Sequence, residues 1–122
     1  LYGKFAEIAL KYMPLQETSN GAYVVYIAQS PAELIREGDY LHHCVGKYGY
    51  DQKFCREQSL IFFVRSANDT ETPLTTIEYD IKSKTIKQCY ANGNTNPDQA
   101  ITDYVNNVWL PHANKALKKI AA

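Results

Sequence analysis

The sequence predicts an α+β fold: a three- or four-stranded, mostly antiparallel sheet packed by N-terminal, central and C-terminal helices. Three observations carry that prediction. Three β-rich runs follow one another between residues 59 and 91, separated by short turn-forming links. Helical apolar spacing recurs at both ends of the chain. A serine–proline helix start lies between a fourth β-rich run and the other three. At 122 residues the chain is long enough for one real core and too short for two, so residues 1–122 read as a single domain. Its opening on Leu1 reads as a fragment of a longer protein.

Taken in order, Leu1, Phe5, Ile8, Ala9 and Tyr12 form the stripe of a first helix. Met13-Pro14 ends it, because the residue before a proline is pushed away from helical angles. Thr18-Ser19-Asn20-Gly21 is a turn, and Ala22 to Ala28, rich in β-branched and aromatic residues, is a strand. Ser30-Pro31-Ala32-Glu33 starts a short helix: serine caps, proline takes the first helical position and Glu33 completes the capping box. Leu34 and Ile35 are expected to face inward there, and Gly38 to terminate the helix. Gly49 to Gln58 is polar, with a periodicity too weak to assign.

The meander follows as Ser59 to Ala67, Leu74 to Ile81 and Lys84 to Ala91. Its links, residues 68–73 and Lys82-Ser83, are short enough for antiparallel hairpins. After an Asn-rich loop, Asn96-Pro97-Asp98 opens a last helix with Ile101, Tyr104, Val105, Val108 and Trp109 at helical spacing. Pro111 is expected to kink or break it. Trp109 reads as a core anchor, and His112 as a surface residue outside any constellation.

Lysine plus arginine equals aspartate plus glutamate, 13 each, so no global field favours nucleic acid or an anionic membrane. Lys115, Lys118 and Lys119 are the candidates for a local basic patch. The longest apolar run, Leu60 to Val64, is far short of the roughly 20 residues that span a bilayer, so no membrane partner is expected. Cys44, Cys55 and Cys89 are odd in number and unpaired in spacing, which fits reduced thiols in a cytoplasmic protein.

The unusual residues concentrate between Gly38 and Tyr48, where His42, His43 and Cys44 stand side by side between glycines. Strand alternation offers this stretch companions. Ile61, Phe63 and Arg65 share one face of the first meander strand, Thr76 and Glu78 one face of the second, and Ile86, Gln88 and Tyr90 one face of the third. If the faces coincide, Arg65 and Glu78 form a paired centre with Gln88 beside it; otherwise they are solvated residues of an outer face.

Joined together, these residues resemble the PcfJ-like family. The matching residues are Gly38, Leu41, His43, Cys44, Val45, Gly46 and Tyr48, then Arg65, then Thr76 and Glu78, and finally Gln88 with Asn92 and Asn94. The resemblance runs over roughly residues 22–110, and His43-Cys44-Val45-Gly46 is its most specific part. It implies a protein of conjugative plasmids and phages, and it implies that Arg65, Glu78 and Gln88 share a face with the His-Cys stretch. It carries no biochemical activity with it.

Four readings of these residues compete. A thiol enzyme takes Cys44 as nucleophile with His43 or His42 as base, but the preceding helix points the unhelpful end of its dipole at the stretch. A hydrolase of phosphodiesters uses His43, Arg65 and Glu78 as acid, anion clamp and base, leaving Cys44 unexplained. A metal site lacks any C-x-x-C or H-x-x-x-H spacing, so neither metal nor cofactor is expected. A binding module presents Tyr48, Thr76, Asn92 and Asn94 beside the catalytic candidates His43, Cys44, Arg65, Glu78 and Gln88, to a protein partner or single-stranded nucleic acid. That last reading is favoured. A separate, structural reading makes His43 and Cys44 core residues, the cysteine a small hydrophobe and the histidine hydrogen-bonded to backbone.

Overall fold

The β-branched and aromatic runs pair as expected, into one sheet of four antiparallel strands in the order β1 (Tyr23–Ile27), β2 (Ser59–Ser66), β3 (Thr75–Asp80), β4 (Thr85–Tyr90). The computed structural model describes residues 2–19 and 21–121; Leu1 and Asn20, read above as part of a helix and a turn, lie outside the described residues. Around the sheet run α1 (Tyr2–Lys11), α2 (Pro31–Leu41), α3 (Tyr50–Cys55), α4 (Gln99–Tyr104) and α5 (Leu110–Ala121). The fold is α+β.

Register decides which side chains share a face. Tyr26, Phe63, Thr76 and Tyr90 form one cross-strand row, Ile61, Glu78 and Gln88 the next, and Arg65 stands opposite Val24. Alternation puts all of these on one face. Ile86 departs from expectation. Glu78 pairs with Gln88 while Tyr79 pairs with Ile86, so Lys87 is the extra residue of a bulge, and Ile86 moves to the opposite face with Leu60, Phe62 and Ile77.

That opposite face carries the main aromatic core. Trp109 is fully buried, with its ring 4.9 Å from Phe62 and 5.6 Å from Tyr79, and its indole N–H donates to the Leu15 carbonyl at 2.9 Å. Burying such a side chain contributes roughly 1.5–3 kcal/mol by area alone. The helix that supplies it does not break at Pro111. The wide turn Val105–Trp109 sits immediately upstream, where the Leu110 N–H reaches back to the Val105 carbonyl, and α5 continues through the proline. A π-turn is one way a helix absorbs a residue that cannot donate. The start of α4 also departs from the expected cap-then-proline order: Asp98 is the cap, and Pro97 precedes it instead of taking the first helical position. His112 is only half exposed, and its Nε2 donates to the carbonyls of Pro14 and Gln16 (3.0 and 2.7 Å), pinning α5 to the turn Met13–Leu15.

α1 buries Phe5, Ile8 and Ala9 of the expected stripe, Tyr12 just after it is buried too, and Phe5 stacks flat on Phe54 of α3 at 3.9 Å. α3 is the segment whose periodicity was too weak to read. α2 begins as expected: Ser30 Oγ accepts from the Glu33 N–H, and Glu33 Oε1 accepts from the Gln29 N–H. It does not end at Gly38. The helix runs to Leu41, with His42 as its left-handed cap, and Ile35 lies on the solvent side while Leu34 is buried.

Candidate functional site

Gly38 serves close approach instead of termination. A Cβ there would stand 3.0 Å from the His43 carbonyl oxygen, and one on Gly46 would stand 2.7 Å from Ile35 Cα. The segment 42–46 therefore folds back against α2, the helix that precedes it, because two positions lack side chains. This fold-back drives His43 inward onto the sheet and leaves His42 exposed.

His43 closes a buried chain of hydrogen bonds. The Val45 N–H donates to Nδ1 at 3.4 Å, so Nε2 carries the hydrogen and donates to Thr76 Oγ1 at 2.8 Å. The Thr76 hydroxyl in turn donates to Glu37 Oε2 at 3.3 Å. Arg65 grips the same carboxylate with both terminal nitrogens, at 2.9 and 2.5 Å, and also donates to the Val64 carbonyl. Its guanidinium lies over the Phe63 ring at 5.1 Å. Burial raises the Glu37 carboxyl above its ordinary value, with Arg65 and then Thr76 pulling the other way. Burial likewise lowers His43 below its ordinary 6.5, which keeps the ring neutral near pH 7.

A second network runs beside the first. Glu78, 4% exposed, accepts from Ser59 Oγ and from Gln88 Nε2, both at 2.9 Å, and Gln88 also donates to the Tyr50 hydroxyl at 3.2 Å. The expected Arg65–Glu78 pair does not form. Glu78 stands opposite Ile61, four residues along β2 from Arg65, and Glu37 of α2 fills the place opposite the guanidinium.

Between the networks lies a cleft of about 40 Å³, lined by His43, Cys44, Tyr50, Glu78, Tyr90 and Asn94 among others. It has room for a water or two. A larger groove of about 480 Å³ lies on the Arg65 side, between α2 and the sheet, with Tyr26, Arg36, Tyr40 and Phe63 in its walls.

The structure thus gathers His43, Cys44, Thr76, Glu78, Gln88 and Asn94 at one cleft, and ties Arg65 to it through Glu37 and Thr76. It does not gather the others. Tyr48 is 79% exposed and Asn92 is exposed, and neither lines the cleft. Glu37, Ser59 and Tyr50 were missed. Glu37 had a signal: it stands in the apolar stripe of α2 with Leu34, Gly38 and Leu41, where a lone carboxylate needs a partner. Among the described residues no cluster of three His, Cys, Asp or Glu side chains is arranged to hold a metal ion. Cys44 and Cys89 are free thiols.

The family model described as PcfJ-like protein matches residues 4–105, a span that includes every residue of both networks. The chain belongs to the PcfJ-like family. An uncharacterised protein of Listeria innocua, Lin1253/Lin1744, is 30% identical over 97 residues, covering 80% of this chain and 21% of that protein. The chain therefore spans about a fifth of the length of the curated relative it matches. No solved structure matches. Among the described residues no helix is long and apolar enough to cross a membrane.

In this PcfJ-like chain His43, Arg65 and Glu78, residues of the two candidate enzymes, are all held in buried hydrogen bonds. The His43 ring spends both nitrogens in buried hydrogen bonds, neither of them to Cys44. The carboxylates of Glu37 and Glu78 are likewise engaged, and the Arg65 charge is spent on Glu37. Cys44, Tyr90 and Asn94 line the cleft beside these buried groups.

Proposed function

We propose that this domain is a binding module of a protein carried by conjugative plasmids or phages, with the cleft beside Cys44 as its recognition point. The observation that carries the reading is the closure of both networks. Arg65–Glu37–Thr76–His43 and Ser59–Glu78–Gln88–Tyr50 satisfy one another internally, which makes a rigid wall instead of a reactive centre. The mobile-element setting rests on the family resemblance, and the partner is a protein before it is nucleic acid, because the chain carries no net charge.

Thiol chemistry is the competing reading, favoured by one observation: Cys44 is a free, partly exposed thiol at the cleft. Titrating the nitrogen-labelled chain with small polar fragments, followed by NMR, separates the two. Saturable shifts at Cys44, Gln88, Tyr90 and Asn94, with Cys44 alkylated no faster than a free thiol, are expected. Shifts confined to other surfaces sink the cleft as a recognition point. Alkylation of Cys44 far above the free-thiol rate transfers it to the thiol enzyme.

A further inference from the structure

The two edges of the sheet are treated differently. On β1 the outer edge is covered by the chain itself: Val25 exchanges hydrogen bonds with Glu17 in both directions (2.7 and 3.0 Å), and the Ile27 N–H donates to Gln16 Oε1 at 3.1 Å. On β4 no described residue takes the outward backbone groups of Thr85–Tyr90; Asn114 reaches only the Lys84 carbonyl, one residue before the strand. A strand with one neighbour presents every second residue's N–H and C=O outward, so β4 is an open edge.

The edge is flanked by a recess on each face. On one side Gln88 and Tyr90 lead into the cleft beside Cys44. On the other, Ile86 and Cys89 form a groove of about 310 Å³ with Pro97, Gln99, Thr102 and Val105. A strand laid against β4 would send successive side chains alternately into these two recesses, the arrangement by which extended peptides are read when they extend a sheet.

Charge selects the occupant. Between residues 80 and 90 stand Lys82, Lys84 and Lys87 against Asp80 alone, and all three lysines are exposed. Lysines and a bulge on an edge strand discourage pairing with a second copy, since like charges would meet across the new ladder. The same lysines favour an acidic strand.

We infer that β4 is a docking edge for an extended, acidic peptide segment of another protein, bound by strand addition. The inference rests on the binding reading above and deepens it by naming the partner's chemistry.

The test uses the full nitrogen-labelled chain and a synthetic peptide of about eight residues, the length of an ordinary strand, alternating valine with glutamate. Saturable binding is expected, with amides of Thr85–Tyr90 shifted and protected from hydrogen exchange. The same peptide N-methylated at every second residue keeps its side chains, loses ladder donors, and is expected not to bind. Replacing its glutamates by lysines should abolish binding, and Lys87→Glu in the protein should weaken it roughly fivefold, the scale of a reversed cross-strand charge pair. Equal binding of the N-methylated peptide, responses confined to β1 or the Arg65 groove, or no binding at all would overturn strand addition. Fragments that still shift Cys44 and Asn94 would then leave the cleft standing. A peptide that protects β4 while fragments miss the cleft would sink the cleft and keep the edge.

Discussion

A histidine with both nitrogens spent in the interior is a neutral histidine, and that neutrality is a stability term. Burial holds His43 below its ordinary 6.5, while the unfolded chain titrates at the ordinary value. Below that value the unfolded state binds the proton first. His43 therefore contributes stability above about pH 6.5 that is lost as the pH falls toward its depressed folded value. Urea midpoints measured from pH 8 to 5 should fall at the acid end, and His43→Gln, which keeps a donor for Thr76 and cannot titrate, should flatten that part of the curve. Superimposable slopes would mean that His43 is not held neutral. The face within each strand was legible: alternation grouped Thr76 with Glu78 and set Arg65 and Gln88 each on one face of its own strand. It left open whether those faces coincide, and the register puts them on one side of the sheet. The partners of these residues were not legible. Strand alternation says which residues share a face and nothing about what descends from a helix, so Glu37 and not Glu78 proved to hold Arg65.

At the scale of elements, backbone approach explains what composition alone misread. Gly38 looked like a helix terminator and Gly46 carried no structural reading, yet each marks a place where segment 42–46 lies against α2. At Gly38 both readings predict glycine, and only the close approach requires it inside a helix. The bulge at Lys87 is a similar case: one extra residue reversed the side for Ile86 and kept it for Gln88 and Tyr90, a choice sequence spacing cannot express. Gly46→Ala tests the fold-back. Its Cβ would meet Ile35 Cα and, at 3.1 Å, the Leu34 carbonyl oxygen, both backbone atoms that cannot rotate away. A loss of about 1–3 kcal/mol is expected from denaturant unfolding, the usual cost of overpacking, together with altered shifts for His43 and Val45. A neutral effect would mean that the loop can lift off α2 without loss.

For the whole molecule, the question is whether its two layers open together. β2 and β3 give one face to Glu37, Arg65 and Glu78, and the other to Trp109, Phe62 and Tyr79, so neither layer can part without exposing the back of the other. Cys89 reports on this from the Trp109 side. Burial pushes its thiol from an ordinary 9.0 up to about 11, which cuts the reactive thiolate near neutral pH roughly a hundredfold. In a Cys44→Ser, Cys55→Ser chain, alkylation of Cys89 should be slower than that of a free thiol by about that factor. Mild urea should accelerate it through opening of the fold. Adding Gly46→Ala, a lesion on the His43 side of the sheet, then separates two outcomes. In a cooperative sheet the same loss of stability appears in Cys89 labelling, about tenfold faster for each 1.4 kcal/mol. Labelling unmoved by Gly46→Ala would show that the His43 loop opens alone, leaving the aromatic layer shut, and the rigid wall assigned to the cleft would lose its support.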